Sequence, residues 1–464
     1  MRPQARRFSS HLLSLTLFSA SLGVVIQARG QEKSPSEFQF TKIDLQLLDD
    51  VDEVDRQIAK KGLLFENPDL QTYMDSVCKR MIGDKPTLEH VQYRCLVLRD
   101  PMQNAFAEPN GTIYVTTGLL AVLENEGELA GVIGHELTHT YRRHLYLENR
   151  SMRKKVLAIN ILSAAASVAP GGPGVSTGVQ IFGAAVEVGA AVTSVVLVAS
   201  VYGYSRDKEQ EADSNGLSSM VSASYDPKAM ARTFELLDQS SRYEFEPYDT
   251  FYHDHPKLTE RRQAAMDFAA SHPVTAPLNT PEKDYLAKIA PAIAYNIEAD
   301  INSRRARSAV RAAQRLVDGF PDVPRYQLLL GDAYRALGAK TQALSDEEMT
   351  GHGKSEDRKN YFKRTEQEEQ RRLLEKPEGH AALKANQAQA EKIYQAVVQA
   401  NPAYADSYRD LGFLYEQEER YPEAAAQYKR YLEMVSGTSL DHLRVERRLA
   451  NVQKLIGLTS GGGQ

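Results

Sequence analysis

Apolar and polar residues alternate with two different periods along this chain, and the change of period separates its elements. From Phe38 to Met81, apolar positions such as Ile58, Leu63 and Leu64 are spaced among charges and predict helix. Val91 to Leu98 (VQYRCLVL) alternates with period two, as a half-buried strand does. Asn110-Gly111 is a tight-turn signal, and Thr112 to Thr116 (TIYVT) reads as a second strand. Helical spacing returns over Gly118 to Arg143. Leu162 to Tyr204 is rich in Ala, Gly and Val and is broken by Pro170-Gly-Gly-Pro173. Beyond about Tyr285 the pattern is helical as far as Leu458, and a Gly-rich tail follows. The fold class expected is α+β, mostly α, with a small sheet in the first half only.

The second half repeats itself in the manner of tetratricopeptide units. One unit starts at Ala405 and places Tyr408, Leu411, Gly412, Tyr415, Ala424, Tyr428 and Tyr431 at the expected spacings. An earlier first helix begins near Pro324, with Leu330, Gly331 and Tyr334; an earlier second helix carries Ala309, Ala313, Leu316 and Pro321. Ala405 lies 81 residues after Pro324, which is one period of about 34 plus roughly 47. One repeat is therefore split, its second helix reappearing at Ala390, Tyr394, Val397 and Pro402. The charged stretch 346–380 between them is read as an extended helical hairpin or a mobile insertion. Stacked repeats form a concave surface for peptides or protein partners. The stripe of tyrosines is expected to be packing rather than a ligand box.

Composition narrows the class of protein. A chain of 464 residues suggests about three domains, and 42% hydrophobic with 25% charged residues is ordinary for globular proteins. With 56 Lys+Arg against 61 Asp+Glu, no basic excess points to nucleic acid. Arg2, Arg6 and Arg7 precede an apolar run from Leu12 to Ile26, and small residues follow at Ala28 and Gly30. That order predicts a secretory signal peptide over residues 1–30, since about 15 apolar residues fall short of the ~20 that a span requires. Export would place the protein in an oxidising compartment, where Cys78 and Cys95 either pair or stay as two buried thiols. Two cysteines exclude a Cys-rich zinc module, so any metal site must use His and carboxylates.

Gly134-His135-Glu136-Leu137-Thr138-His139 supplies such a site. On a helix, positions i and i+4 share a face, so His135 and His139 can aim nitrogens at one ion. Glu136 is placed to act as general base toward a water on that ion rather than as a ligand. Apolar Leu129, Val132, Ile133 and Leu137 suit a buried helix, and Gly131 and Gly134 permit close packing. A catalytic zinc takes three protein ligands and keeps one open position, so a third ligand must come from elsewhere. Glu209, in Glu209-Gln210-Glu211-Ala212-Asp213, is the candidate. Asp213, at i+4 from it, is placed to orient a ligating histidine. Glu211 reads as a solvated acid.

Asn104-Ala105-Phe106-Ala107, the HELTH block, the EQEAD block and His255-Pro256 with Arg261 occur in the order found in the HtpX/Oma-type gluzincin metallopeptidases, a family that includes the CAAX prenyl proteases. The sequence resembles that family over about 49–266. With its repeats it is similar to the BepA-like periplasmic members. The resemblance implies a zincin-type domain over 31–284 and an α-helical tetratricopeptide-repeat domain over 285–458, with a short tail over 459–464. It implies one zinc ion held by His135, His139 and Glu209, with Glu136 as base and Asp213 closing the acidic motif. Asn104 to Ala107 matches the segment just before the cleft edge strand, which would bind substrate by strand addition. His255 matches a His-Pro position that, in BepA-like members, closes the fourth zinc site. A structural loop histidine is the alternative there, and His253 competes with it. Arg206, Arg261 and Arg262 are lesser candidates for holding carboxylates or an oxyanion, with an ordinary surface arginine the safer reading for each.

Several members of that family carry membrane spans between the two metal-binding blocks. Here Pro170-Gly-Gly-Pro173 cuts the first charge-free stretch into pieces of about 14 and 13 residues, and the second is about 18 residues. Residues 160–204 are read as paired lid-like helices over the cleft, with possible peripheral membrane contact, or as plain buried core helices. The resemblance implies an exported, periplasmic peptidase acting on unfolded or misassembled envelope proteins. A chaperone or scaffold with a silent metal site is the second class. An intramembrane prenyl-type protease is disfavoured by the lack of a convincing span.

Overall fold

The computed structural model describes residues 38–85, 88–148, 150, 204–240, 243–244, 258–344 and 364–461. The expected signal peptide, most of the lid-like stretch, His253, His255 and the first half of the charged insertion lie outside these residues.

Helix α1 (Lys42–Lys60) and helix α2 (Pro68–Ile82) replace the single helix expected over Phe38 to Met81. Between them the chain becomes extended, where Leu64 bridges Leu98 and the Phe65 N–H donates to the Val97 carbonyl. Asn67-Pro68 marks the restart: the Asn67 side chain caps the Leu70 N–H, and proline at the first helical position gives up no intrahelical bond. Strands β1 (Arg94–Leu98), β2 (Ala105–Ala107) and β3 (Thr112–Thr116) form one sheet in the order β1-β3-β2. β1 runs parallel to β3, while β2 and β3 form an antiparallel hairpin closed at Asn110-Gly111. Gly111 has φ +100°, and a Cβ there would stand 2.6 Å from the Gln92 carbonyl oxygen, so no other residue fits.

Short helix α3 (Thr117–Val122) precedes α4 (Glu126–Tyr141), which carries both histidines of the HELTH block. The break within the expected Gly118–Arg143 helix falls at Asn125. Its side chain accepts from the Glu128 N–H, while Glu128 accepts from the Asn125 N–H, a reciprocal cap that fixes where α4 begins. Helices α5 (Arg206–Ser222), α6 (Lys228–Ser240) and α7 (Leu258–Ser271) complete the first half.

The sheet is covered on both faces. Cys95, Val97, Ile113 and Val115 join α2 and α4 in the main core, whereas Leu98, Phe106 and Tyr114 pack with Ile58 of α1. Cys78 on α2 and Cys95 on β1 are joined as a disulfide, with Cα atoms 6.0 Å apart.

Helix α8 (Glu282–Asn302) packs against α2 and α3 on one side and against α9 (Ala306–Gly319) on the other. α10 (Pro324–Leu337), α11 (Glu366–Leu373), α12 (Pro377–Ala400), α13 (Ala405–Gln417), α14 (Tyr421–Met434) and α15 (Leu440–Gly461) follow. α10 packs on α12, and α12 to α15 stack in sequence order, as expected of a repeat whose second helix is displaced along the chain. The described end of the charged stretch is helical. Tyr408, Tyr415, Tyr428 and Tyr431 are buried core residues. One hydrophobic core runs from α2 through α8 into the repeats. No helix among the described residues is long and apolar enough to cross a membrane.

Candidate metal centre

α4 and α5 cross where Gly134 meets Gly216: a Cβ on Gly134 would lie 3.2 Å from the Gly216 carbonyl oxygen and 2.7 Å from the Met81 methyl. That close approach sets His135 and His139 of α4 opposite Glu209 and Asp213 of α5. His135, His139 and Glu209 are all buried. Their nearest ligand atoms form a small triangle: His135 Nε2 to His139 Nε2 is 3.1 Å, His135 Nε2 to Glu209 Oε2 is 3.5 Å, and His139 Nε2 to Glu209 Oε1 is 3.6 Å. Two ligands on a tetrahedral ion with bonds of about 2.0–2.1 Å stand roughly 3.3 Å apart, which is the spacing seen here.

The proton inventory of the histidines points the same way. Burial alone would raise the Asp213 carboxyl, but the Arg261 guanidinium and the His135 hydrogen bond hold it well below the usual carboxylate range. Asp213 is therefore an acceptor, and its Oδ1 stands 2.9 Å from His135 Nδ1, which carries the proton. Burial pushes His144 down to about 3, so that ring is neutral and has a single N–H. His144 Nε2 faces Glu211 Oε2 at 3.3 Å and must donate to it. His144 Nδ1 is then an acceptor, 3.0 Å from His139 Nδ1, which donates. These tautomers are assigned from partners. With one proton on each ring, the two Nε2 atoms that face each other at 3.1 Å turn lone pairs toward one another, an arrangement that a cation between them would relieve. The donor set of two imidazoles and one carboxylate fits a divalent metal.

Glu136, next along α4, is buried beside this triangle. Burial and the negative Glu209 raise its carboxyl well above the ordinary value, and it accepts a hydrogen bond from the Ala107 backbone. Burial also pushes Glu209 up to about 7, against the pull of His135 and Arg261. The Tyr204 ring stacks on His139 with centroids 3.8 Å apart.

The structure differs from expectation at several residues. Ala105–Ala107 does not precede the edge strand; it is the edge strand β2 of the described sheet, and Asn104 extends its pairing with Thr116. Phe106 points away from the metal ligands into the cluster under α1, so a peptide added along β2 would meet backbone there. Arg261 is buried, with its guanidinium on Asp213 and 4.5 Å from the Phe234 ring centroid. The signal available was its spacing with Ala265 and Ala269, the buried face of α7. Arg206 and Arg262 stay exposed, pairing with Glu260 and Glu235. Glu211 is not a solvated acid: it is held by His144 and, at 2.8 Å, by Arg142. No sequence signal marks His144, because a histidine five residues past His139 has no helical reason to meet its ring. His255 lies outside the described residues.

Residues 68–273 match Peptidase family M48, and residues 298–348 and 377–437 match the tetratricopeptide repeat. The chain is 26% identical over 246 residues to the beta-barrel assembly-enhancing protease of Escherichia coli (strain K12), covering 52% of this chain and 47% of that protein. It is 30% identical over 167 residues to the mitochondrial metalloendopeptidase OMA1 of Schizosaccharomyces pombe, covering 36% of this chain and 43% of that protein. Over 193 residues it is 29% identical to the metalloprotease YcaL of Escherichia coli (strain K12), covering 41% of this chain and 67% of that protein. The chain thus spans about half the length of the assembly-enhancing protease that it matches. Residues 68–273 thus form a stretch similar to peptidase family M48, and the residues matching tetratricopeptide repeats follow it.

Proposed function

We propose that this protein is a periplasmic zinc-dependent endopeptidase that cleaves unfolded or misassembled envelope proteins, with its repeats recruiting the client or a partner protein. The observation that carries the reading is the buried triangle of His135 Nε2, His139 Nε2 and the Glu209 carboxylate, with the raised Glu136 carboxyl beside it. The N2O set suits zinc, which is commonly held by two histidines and a glutamate in metallopeptidases. His135, His139 and Glu209 would hold the ion, and bound zinc would supply Lewis acidity toward water and a peptide carbonyl. Glu136 takes a proton from the attacking water and returns it to the leaving amine. Its raised carboxyl suits that exchange near neutral pH. The Ala107 N–H keeps Glu136 in place, and the β2 edge, Asn104 to Ala107, receives an extended peptide by strand addition. Asp213 orients His135. His255 is proposed as a fourth ligand that closes the resting site.

The name of the beta-barrel assembly-enhancing protease supports a role in β-barrel assembly, proposed here for outer-membrane proteins. Zinc analysis of the purified protein, with casein digestion compared between the parent and Glu136→Gln, tests the reading. The variant should keep its zinc and lose about 10²–10⁴-fold in rate. Undiminished digestion would reject Glu136 as base, and a zinc-free, inactive parent that still holds clients would favour the scaffold reading. His255→Ala should raise digestion at unchanged zinc content if the histidine closes the site; an unaltered rate removes it from the mechanism.

A further inference from the structure

A cavity of about 710 Å³ opens between α3, α8 and α9, away from the metal ligands and within the size range of specific ligand sites. Arg311 and Arg315, one helical turn apart on α9, both line it. Neither forms an ion pair among the described residues, although carboxylates are close by. Glu124 is occupied by Arg232 at 3.0 Å, Asp300 by Arg305 at 2.7 Å, and Asp318 accepts from Gln314 at 2.8 Å. Arg315 reaches only the backbone carbonyls of Ala121 and Glu124, at 3.4 and 3.3 Å, and its buried Nε has no hydrogen-bond partner. The Arg311 guanidinium lies 4.1 Å from the Tyr243 ring centroid, and burial holds it below the usual arginine range. Glu282 also lines the cavity but is exposed and makes no ion pair with either arginine, and Glu124 acts on Arg311 only at a distance. Two half-buried guanidinium groups without a directly bonded carboxylate are an expensive arrangement unless an anion joins them. The wall beside them is apolar, built from Ala121, Val122, Leu286 and Val310.

We propose that this cavity, through Arg311 and Arg315, binds the C-terminal carboxylate of a polypeptide whose last residues are apolar. A carboxylate is a planar acceptor that two guanidinium forks can hold by charge-assisted hydrogen bonds. The apolar wall then takes the side chains that precede it. Choosing a polypeptide rests on the peptidase reading above; the anion site does not, and the binding experiment reads it without any hydrolysis.

The test is calorimetric titration of the full-length Glu136→Gln protein with acetyl-Leu-Phe as the free acid and as its amide. The acid should bind about 10- to 100-fold tighter, the ratio expected for charge-assisted hydrogen bonds. The double variant Arg311→Gln, Arg315→Gln, with an unchanged thermal midpoint, should reduce acid binding to the level of the amide. Equal affinity of acid and amide on the unsubstituted cavity would overturn the proposal even if the double variant fails to fold. Inorganic phosphate binding as tightly as the acid would make this a site for free anions and would also overturn it.

Discussion

Arg261 Nε and Nη2 donate to the two oxygens of Asp213, each at 2.7 Å, and Asp213 in turn receives the His135 Nδ1 proton. α7 thereby fixes a metal-binding imidazole on α4 through a carboxylate on α5. The fork matches both carboxylate oxygens, which a lysine could not do.

Arg261→Lys and Asp213→Asn should each lower zinc affinity about 10- to 100-fold, the usual cost of losing a partner behind a ligand. The two residues act in series, so the double variant should lose little more than the worse single one. Chelator competition measures both. Additive losses would separate Arg261 from His135.

His144→Leu should lower zinc affinity by a similar factor, about 10- to 100-fold, because the His139 Nδ1 proton loses its acceptor. Chelator competition again gives the answer. An unchanged affinity would mean that the His139 ring is held by the Tyr204 stack alone.

Glu108 is 5% exposed, and burial, with nearby Asp55, pushes its carboxyl up to about 8 from an ordinary 4.5. Between those values the folded protein keeps a proton that the unfolded chain has lost. Stability therefore falls as pH rises across that window, by about 1.4 kcal/mol per unit, and levels off above it. Glu108→Gln should remove that slope. Its gain in thermal midpoint over the parent should grow between about pH 5 and about pH 8, and a gain independent of pH would refute the assignment.

Helix α8 is shared between the peptidase half and the repeats. Tyr285, Ile289, Ile293 and Ile297 are fully buried, and Asn296 accepts a hydrogen bond from Thr117 at 2.9 Å. A chain ending at residue 303 should stay soluble and bind zinc, whereas one ending at 281 should expose the α2–α3 surface and aggregate. Size-exclusion chromatography and zinc content of the two truncations check this. Equal behaviour would show that α8 belongs to the repeats alone.

Much of this protein was legible in its sequence because the relevant physics is local. His135, Glu136 and His139 lie within one helical turn or so of each other, so the period of the helix alone puts both imidazoles on one face. The tetratricopeptide spacing is likewise a local pattern, and its tyrosines are buried where that pattern places them. Helix boundaries were less legible: Asn67-Pro68 and Asn125 with Glu128 are start signals that the surrounding apolar periodicity masks. The role of Ala105–Ala107 as an edge strand depended on pairing with β3, and the inward turn of Phe106 on which face of the sheet α1 covers. The sequence offers Arg261 as a holder of carboxylates without its burial or its partner, and it gives no signal for His144. A charged side chain reads as surface until its counter-charge is known, and Asp213 is 48 residues from Arg261, Glu211 67 from His144. Contacts over such separations are set by how α4, α5 and α7 cross, which depends on the close approach of Gly134 and Gly216 and on no periodicity along the chain.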